Sequence, residues 1–337
     1  MRNKLLISAL LLVLLATLYR CSSFTPELVS FSGPTMGTTY TVKFYTTNNV
    51  SDPWALKDDV DAALVKVNKL MSTYDSSSEL SEFNKLPAGS SLVISDEMAY
   101  VIDKALLISQ MTEGEYDVTI GPLVNLWGFG PGNREDRVPS EAEIHAAKER
   151  VGYQSLLLDG KRLTKEKDLY VDLSSIAKGY GVDEVAQVLI KNGIESFLVE
   201  VGGEISSKGE KPDGSPWRIA IESPVAGHEM AERIIELSDM AIATSGDYRN
   251  YFEKNGVRYS HTINPVTGKP ITHRLVSVTV VDKTTTMADG LATAITVLGP
   301  EKGLEFANEH GIAAYLLVKT DFGFEEHPAD AFKPYLN

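Results

Sequence analysis

Residues 172–205 read DLSSIAKGYGVDEVAQVLIKNGIESFLVEVGGEI. The pattern predicts a strand that ends at Asp172, a helix that opens on the two serines after it, and a second strand that runs into two adjacent glycines. Free amides at the start of such a helix can receive a phosphate group, and Lys178 would add positive charge nearby. N-capping by Ser174 would explain the same residues, so this stretch alone is compatible with a phosphate site or with a simply capped helix.

Strand-like and helical segments alternate on both sides of this stretch. Apolar residues recur at helical spacing in residues 54–74, 96–111, 140–152, 288–299 and 301–311. Apolar runs and turn signals predict strands at 29–46, 155–165, 169–173, 196–201, 217–222, 240–245, 275–281 and 312–320. This order favours a layered α+β or α/β fold without a linker that would divide the chain.

The composition is that of an acidic globular protein. Of its 337 residues, 43% are hydrophobic and 23% are charged, and the formal net charge is −14. Such a charge disfavours nucleic acid as a partner. Any anionic ligand must therefore be held by local features, namely backbone amides, a lysine or a metal ion.

The N-terminus has the pattern of an export signal. A basic start precedes an apolar run at residues 5–18, which is too short for a comfortable membrane-spanning helix, so residues 1–20 are predicted to be a signal peptide. Cys21, the only cysteine, follows as the lipidated cysteine of a bacterial lipoprotein would. We expect a lipid anchor there, although Arg20 stands where such signals carry a small residue; a soluble export signal or an uncleaved anchor are the alternatives. The mature domain is then 22–337.

Three other connections carry side chains suited to chemistry. The segment 113–133, EGEYDVTIGPLVNLWGFGPGN, lacks periodicity and could wrap a flat ring system or form a compact surface loop. Asp289 and Thr293 are four residues apart on a predicted helix, where their oxygens could bind Mg²⁺ or cap the helix. His261, in YSHTINPVTGKP, follows a predicted strand and is either a surface residue or a catalytic base.

The common nucleotide and hydrolase signatures are absent from the sequence. There is no G-x-x-x-x-G-K-[ST] motif and no strand-linked G-x-G-x-x-G motif. The segment ATSGDYRN at 243–250 is not a G-x-S-x-G nucleophile elbow, which disfavours a serine hydrolase.

Eight segments, in this order, resemble the ApbE family of bacterial FAD:protein FMN transferases: GPTMGTTY, MSTYDSSSELSEFN, YDVTIGPLVNLWGFG, DLSSIAKGYGVD, VGGE, TSGDYRNY, HTINPVTG and ADGLATA. The resemblance extends from about residue 30 to 320. It implies an α+β, T-shaped fold of two intimately packed α/β subdomains.

The resemblance also implies an activity. Members of this family transfer the FMN half of FAD, in an Mg²⁺-dependent reaction, onto a threonine or serine hydroxyl of a protein and release AMP. Their acceptors are subunits of membrane electron-transport complexes of the Nqr or Rnf type. Members lie in the exported compartment, here the periplasmic face of the inner membrane. A FAD pyrophosphatase or a non-transferring periplasmic flavin-binding lipoprotein are the alternatives; free FMN formed without an acceptor would identify the pyrophosphatase.

The resemblance assigns roles to individual residues as well. His261 corresponds to the catalytic histidine, and Ser175, Asp289 and Thr293 correspond to the metal ligands. Asn264 stands where an aspartate is commoner in the family. The residues implied to line the FAD site are Met36, Tyr74, Glu115, Tyr116, Asp117, Asp172, Lys178 and Ile263.

Overall fold

The structure is a computed structural model. It describes residues 25–47, 52–132, 137–222, 231–246, 251–254 and 256–336. The predicted signal peptide and Cys21 lie outside these ranges.

The strands are β1 Leu28–Thr35, β2 Thr38–Tyr45, β3 Ser91–Val93, β4 Leu156–Asp159, β5 Arg162–Lys165, β6 Phe197–Val201, β7 Glu204–Lys208, β8 Trp217–Glu222, β9 Ala231–Leu237, β10 Ala241–Gly246, β11 Tyr251–Lys254, β12 Val257–Ser260, β13 Ile263–Asn264, β14 Lys269–Pro270, β15 Leu275–Asp282, β16 Ala313–Thr320 and β17 Gly323–Pro328. Eight of them form one fully antiparallel sheet in the order β1-β2-β6-β7-β10-β15-β16-β17. Smaller sheets pair β3-β5-β4, β8-β9, β11-β12 and β13-β14.

Helices cover one face of this sheet. The α-helices are α1 Ala55–Met71, α2 Glu79–Lys85, α3 Asp96–Met111, α4 Gly121–Leu126, α5 Glu141–Lys148, α6 Ala177–Lys191, α7 Thr285–Leu298 and α8 Pro300–Glu309. Short 3₁₀ helices are at Tyr153–Ser155 and Asp330–Leu336.

Both faces of the sheet are buried at β15, β16 and the start of β10, which explains why β15 and β16 are mostly apolar. In β10, Ala243 packs into the core beneath the helices, whereas Ile242 faces the opposite core under the β8-β9 hairpin. Val280 and Val281 of β15 divide between the same two cores. Side chains of successive strand residues point to opposite faces, so each strand contributes to both layers.

The helices α6 and α7 cross at a very short distance. A Cβ atom added at Gly179 of α6 would lie 2.3 Å from the carbonyl oxygen of Thr285, so only glycine permits this approach. Asp183 of α6 caps the start of α7, since its carboxylate accepts the N–H groups of Thr285 at 2.8 Å and Thr286 at 2.9 Å. These contacts fix the register of α7 against α6.

Several sequence predictions differ from the structure. The helix predicted to open on the serines begins at Ala177, and the helix predicted from 288 already begins at Thr285. The segment 113–133, predicted as a loop, contains α4. The short helix α2 was not predicted.

The predicted strand at 169–173 is not a strand. Its only ladder contact among the described residues is one bridge, between Tyr170 and Ile120. The backbone of Val171 instead forms two hydrogen bonds with the side-chain amide of Asn84, at 2.7 and 2.8 Å. The ammonium of the fully buried Lys165 donates to the carbonyl of Asn84 at 2.9 Å, and burial lowers the pKa of this lysine. Side-chain bonds thus satisfy the backbone of Val171, whereas the N–H of Asp172 donates to the carbonyl of Val118 at 2.7 Å, and no regular strand ladder forms here.

The structure contains no helix, within the ranges it describes, that is both long enough and apolar enough to cross a membrane.

Candidate active site

A cavity of about 640 Å³ lies where the turn before α6, the β6-β7 turn, the end of β10 and one side of α7 meet. Eleven of the twelve residues predicted for the site line it. They are Tyr74, Glu115, Tyr116, Asp117, Asp172, Ser175, Lys178, His261, Ile263, Asp289 and Thr293.

Met36 is the predicted residue that does not line the cavity. It occupies the two-residue turn between β1 and β2 with a φ of 48°. Its sulfur lies 3.4 Å from the position of a Cβ built on Gly181 of α6. Met36 thus packs behind α6, on the core side.

A turn at residues 173–176 separates Asp172 from α6. The Asp172 carboxylate accepts the N–H of Ser174 at 2.9 Å, and the N–H groups of Ile176 and Ala177 bond to the carbonyl of Leu173. Neither serine caps the helix, because Ile176 occupies the N-cap position without a side-chain hydrogen bond. The alternative in which Ser174 caps the helix is therefore wrong, and part of the predicted set of free amides is already bonded within the turn.

The predicted ring-binding loop is held by Asp117. Its carboxylate accepts the N–H of Thr119 at 2.8 Å, the hydroxyl of the same residue at 2.7 Å and the N–H of Tyr153 at 2.8 Å. Burial raises the pKa of this carboxyl. Tyr116, also buried, shares a 2.9 Å hydrogen bond with the hydroxyl of Ser175, which ties the loop to the turn before α6.

Aromatic side chains form the outer wall. Tyr74 is 71% exposed, and its hydroxyl donates to the carbonyl of Phe129 at 3.1 Å. The indole N–H of Trp127 donates to the carbonyl of Gly268 at 2.9 Å, so the end of α4 is tied to the turn that follows β13. An exposed aromatic ring on a fixed support offers a face on which a planar group can stack.

His261 is a half-buried residue between β12 and β13, and it lines the cavity beside Phe129. Its ring meets the ring of Phe129 edge-on, with 6.4 Å between the ring centres. Thr262 and Ile263, which also line the cavity, are both buried, and Ile263 begins β13.

Asn264 supports this wall through both ends of its amide. Its N–H₂ group donates to Glu115 at 2.9 Å, and its oxygen accepts the N–H of Thr267 at 2.8 Å. An aspartate at this position would lack the donor and would face Glu115 with a like charge. The asparagine that departs from the family pattern is thus matched to its partner in this chain.

Lys178 forms an ion pair with Glu204, a buried residue at the start of β7. Burial alone would lower the pKa of Lys178, but the nearby carboxylates of Asp289 and Glu204 outweigh it and raise that pKa. Burial raises the pKa of Glu204, against the opposing effect of Lys178. The ammonium is thus held in its charged form at the cavity wall.

Asp289 and Thr293 point into the cavity from α7. One oxygen of Asp289, Oδ2, accepts the N–H of Gly179 at 2.9 Å. Its other oxygen, and the hydroxyl of Thr293, have no hydrogen bond to the described residues. Burial raises the pKa of Asp289, which means that its charged form is disfavoured unless a cation lies nearby.

These donors fit Mg²⁺. The ion prefers hard oxygen ligands and binds through few protein groups, completing its shell with water and phosphate oxygens. No group of three or more His, Cys, Asp or Glu residues within the described ranges could hold a metal by itself. A metal here would therefore be held by Asp289, Thr293 and a further oxygen such as that of Ser175.

Several lining residues were not predicted. Glu204 belongs to the VGGE segment, but its partner Lys178 is 26 residues earlier, and no local pattern connects the two. Phe129, Thr244 and Ser245 also line the cavity. The aromatic content of 113–133 was a signal for Phe129, and Thr244 and Ser245 open the TSGDYRNY segment of the family resemblance, although no role was assigned to them.

The chain is similar to known proteins over most of its length. A model of the ApbE family matches residues 36–316. The chain is 50% identical over 312 residues to a FAD:protein FMN transferase of Vibrio cholerae. The matched region covers 92% of this chain and 93% of that protein. It is 44% identical over 339 residues to a FAD:protein FMN transferase of Haemophilus influenzae, with 98% of each chain covered.

Solved structures show the same similarity. The flavin transferase ApbE from Vibrio cholerae superposes with a TM-score of 0.87 at 49% identity, covering 93% of this chain and 100% of that one. The apo form of the flavinyl transferase ApbE of Pseudomonas stutzeri also gives a TM-score of 0.87, at 47% identity, covering 94% of this chain and 98% of that one.

Proposed function

The chain belongs to the ApbE family, and on this premise we propose that it transfers the FMN half of FAD onto a threonine or serine hydroxyl of an acceptor protein in an Mg²⁺-dependent reaction. The coarser activity follows from the family: the chain is a flavin transferase that uses FAD and a protein acceptor. The observation that carries the finer proposal is the cavity itself, because a lysine, a pair of hard-oxygen donors and a histidine open onto one space.

FAD occupies the cavity with its pyrophosphate near Lys178 and its flavin ring along the 113–133 segment. The positive charge of Lys178 supports the first placement, since the protein as a whole is acidic. The exposed ring of Tyr74 and the neighbouring Phe129 support the second. We expect FAD to bind more tightly than FMN, because only FAD spans the whole cavity.

Mg²⁺ would be held by Asp289, Thr293 and Ser175, the last through its backbone carbonyl. When bound, the ion neutralises charge on the pyrophosphate. The chain contributes the fixed position of Asp289, which the N–H of Gly179 and the capped start of α7 maintain.

His261 acts as the general base. One ring nitrogen takes the proton of the acceptor hydroxyl while its oxygen forms a bond to the FMN-side phosphorus. The bond between that phosphorus and the bridging oxygen breaks, and AMP leaves with the bridging oxygen. The product is a phosphoester between FMN and the acceptor side chain.

We place the reaction at the periplasmic face of the inner membrane, with the chain anchored through a lipid on Cys21. The acceptor is then a subunit of a membrane redox complex of the Nqr or Rnf type. The basic and apolar start of the chain supports export. Radiolabelled fatty acid should label the native chain and not Cys21→Ala, and labelling of both or neither would reject the anchor.

The proposed transfer is tested with the native chain, FAD, Mg²⁺ and a candidate acceptor subunit. After denaturing electrophoresis, the acceptor band should fluoresce as a flavin. The band should be dark with EDTA, and dark when the acceptor threonine is replaced by valine. Free FMN formed at the same rate without the acceptor would favour a FAD pyrophosphatase, and no FAD turnover would favour a flavin-binding lipoprotein.

A further inference from the structure

Glu204 is a buried acid with an incomplete set of partners. Its side chain lines the cavity although it is only 2% exposed. One oxygen, Oε1, accepts a hydrogen bond from the ammonium of Lys178. The other, Oε2, has no hydrogen-bond partner among the described residues. Lys178 is therefore the group that compensates the buried charge of Glu204.

A second acid is close enough to compete for the same lysine. Asp289 is hydrogen-bonded to the N–H of Gly179, the residue next to Lys178, and its charge raises the pKa of Lys178. In the described structure the ammonium nevertheless pairs with Glu204, and no ion pair within 4.0 Å joins it to Asp289. Both buried acids thus interact electrostatically with Lys178, but only Glu204 forms an ion pair with it among the described residues.

The ion pair of Lys178 and Glu204 lies over the turn between β6 and β7. Gly202 and Gly203 form the two-residue turn between β6 and β7, both with positive φ. A Cβ on Gly202 would lie 3.5 Å from both Oε2 of Glu204 and Cδ of Lys178, so the pair packs directly over this glycine. The N–H of Gly202 donates to the carbonyl of Thr39 in β2 at 3.0 Å, which anchors the turn to the main sheet.

We propose that Glu204 is a positioning residue that holds the Lys178 ammonium away from Asp289 and so keeps the free oxygen of Asp289 open to the divalent cation. This inference rests on the proposed function, in which Asp289 binds Mg²⁺ and Lys178 binds the pyrophosphate. Without the charge of Glu204, the ammonium turns to Asp289 and competes with the metal. The carboxylate of Glu204, which does not contact the metal, thereby affects how tightly the site binds the divalent cation.

The test is the affinity of the FAD-loaded full chain for Mn²⁺, followed by the electron paramagnetic resonance signal of the free ion. Glu204→Gln keeps the shape of the side chain and removes its charge. We expect it to weaken Mn²⁺ binding by about 10-fold or more, the usual size of an indirect effect on a metal site. Glu195→Gln removes the same charge from an exposed position outside the cavity and serves as the control. At saturating Mn²⁺ the turnover of Glu204→Gln should recover, because the defect lies in metal occupancy.

A double variant separates competition from simple distortion. Lys178→Met combined with Glu204→Gln removes the competing ammonium, so Mn²⁺ affinity should return toward the native value, measured at FAD concentrations that saturate each variant. Native Mn²⁺ affinity in Glu204→Gln, or a double variant as weak as the single one, would overturn the proposal while leaving Mg²⁺-dependent transfer intact. A native chain that binds no divalent cation would overturn the proposed function and this inference together.

Discussion

His261 has a chemical role in this account, whereas the residues around it bind or position groups. It follows β12 directly, and its ring is set against Phe129 at the cavity wall. In the sequence it could not be distinguished from a surface histidine at a strand end, and only the cavity links it to Lys178 and Asp289.

His261→Ala should bind FAD and Mg²⁺ normally and transfer FMN about 10²–10⁴-fold more slowly, the usual contribution of a general base. Native transfer should also slow on acidification, because an imidazolium cannot accept a proton. Tryptophan quenching reports the binding and single-turnover kinetics report the transfer. Undiminished transfer with native FAD affinity would return His261 to a surface role.

Asp289→Ala should abolish Mg²⁺-dependent turnover, because it removes the charged ligand from α7. Chelation of the native chain with EDTA should have the same effect, and a variant that is fully active in EDTA would contradict the metal assignment.

Thr293 can be tested against a neighbour one turn along the same helix. Thr293→Val should raise the Mg²⁺ concentration needed for half-maximal transfer, since it removes an unbonded hydroxyl from the cavity. Thr296→Val is the matched control, because the hydroxyl of Thr296 is buried and donates to the carbonyl of Ala292 at 2.8 Å. The control should change stability by about 1 kcal/mol, the usual net worth of one hydrogen bond, and leave the Mg²⁺ dependence unchanged.

Among the elements, the long periodic helices and the apolar strands of the sheet could be predicted from the sequence. The apolar spacing of 54–74 and 96–111 corresponds to α1 and α3, each with a buried face. The start of α6 could not be placed, because Asp172 binds the amide of Ser174 and delays the helix. The apolar run at 169–173 failed as a strand for a similar reason, since Asn84, from a distant helix, satisfies its backbone.

The crossing of α6 and α7 predicts opposite effects for two glycines of one helix. Gly179→Ala would place a Cβ 2.3 Å from the Thr285 carbonyl oxygen and 2.8 Å from Cβ of Asp289. We expect it to lower the free energy of unfolding by about 1–3 kcal/mol, as overpacking does, and to weaken Mg²⁺ binding because Asp289 must move.

Gly181→Ala is the control for this prediction. A Cβ there would make its nearest contact at 3.4 Å, with Met36, which is an ordinary packing distance. Alanine in a helix interior is favoured over glycine by about 0.5–1 kcal/mol, so this variant should be neutral or more stable. Thermal unfolding of the two variants checks the pair, and equal losses of stability would contradict the described helix crossing.

At the scale of the whole molecule, the predicted α+β fold of the ApbE type is confirmed by solved structures that match with TM-scores of 0.83 to 0.87. The extent of the domain, 22–337, stays a prediction. The order of elements in the sequence left α/β and α+β open, because the pairing of β7 with β10 and of β2 with β6 joins strands far apart in the chain. Family resemblance, rather than periodicity, settled that choice.

Because the buried acids Asp289 and Glu204 line the cavity proposed for the anionic FAD, we expect FAD and the cation to stabilise the fold together. At a FAD concentration of 100 times its Kd, the free energy of unfolding should rise by about 2.7 kcal/mol. The rise at the same FAD concentration should be smaller in EDTA, because FAD then meets the buried acids without the metal. Differential scanning fluorimetry measures both, and an equal rise with and without Mg²⁺ would argue against a shared site.

In the proposed reaction, a protein hydroxyl rather than water forms the new bond at the FMN phosphorus. This can be measured in a single reaction of the native chain, FAD, Mg²⁺ and the acceptor, by comparing the AMP released with the FMN retained on the acceptor after denaturation. Transfer to the protein gives equal amounts of the two, and both are lost when the acceptor hydroxyl is removed. If AMP instead appears with an equal amount of free FMN and no flavin on the acceptor, the hydroxyl is not the nucleophile.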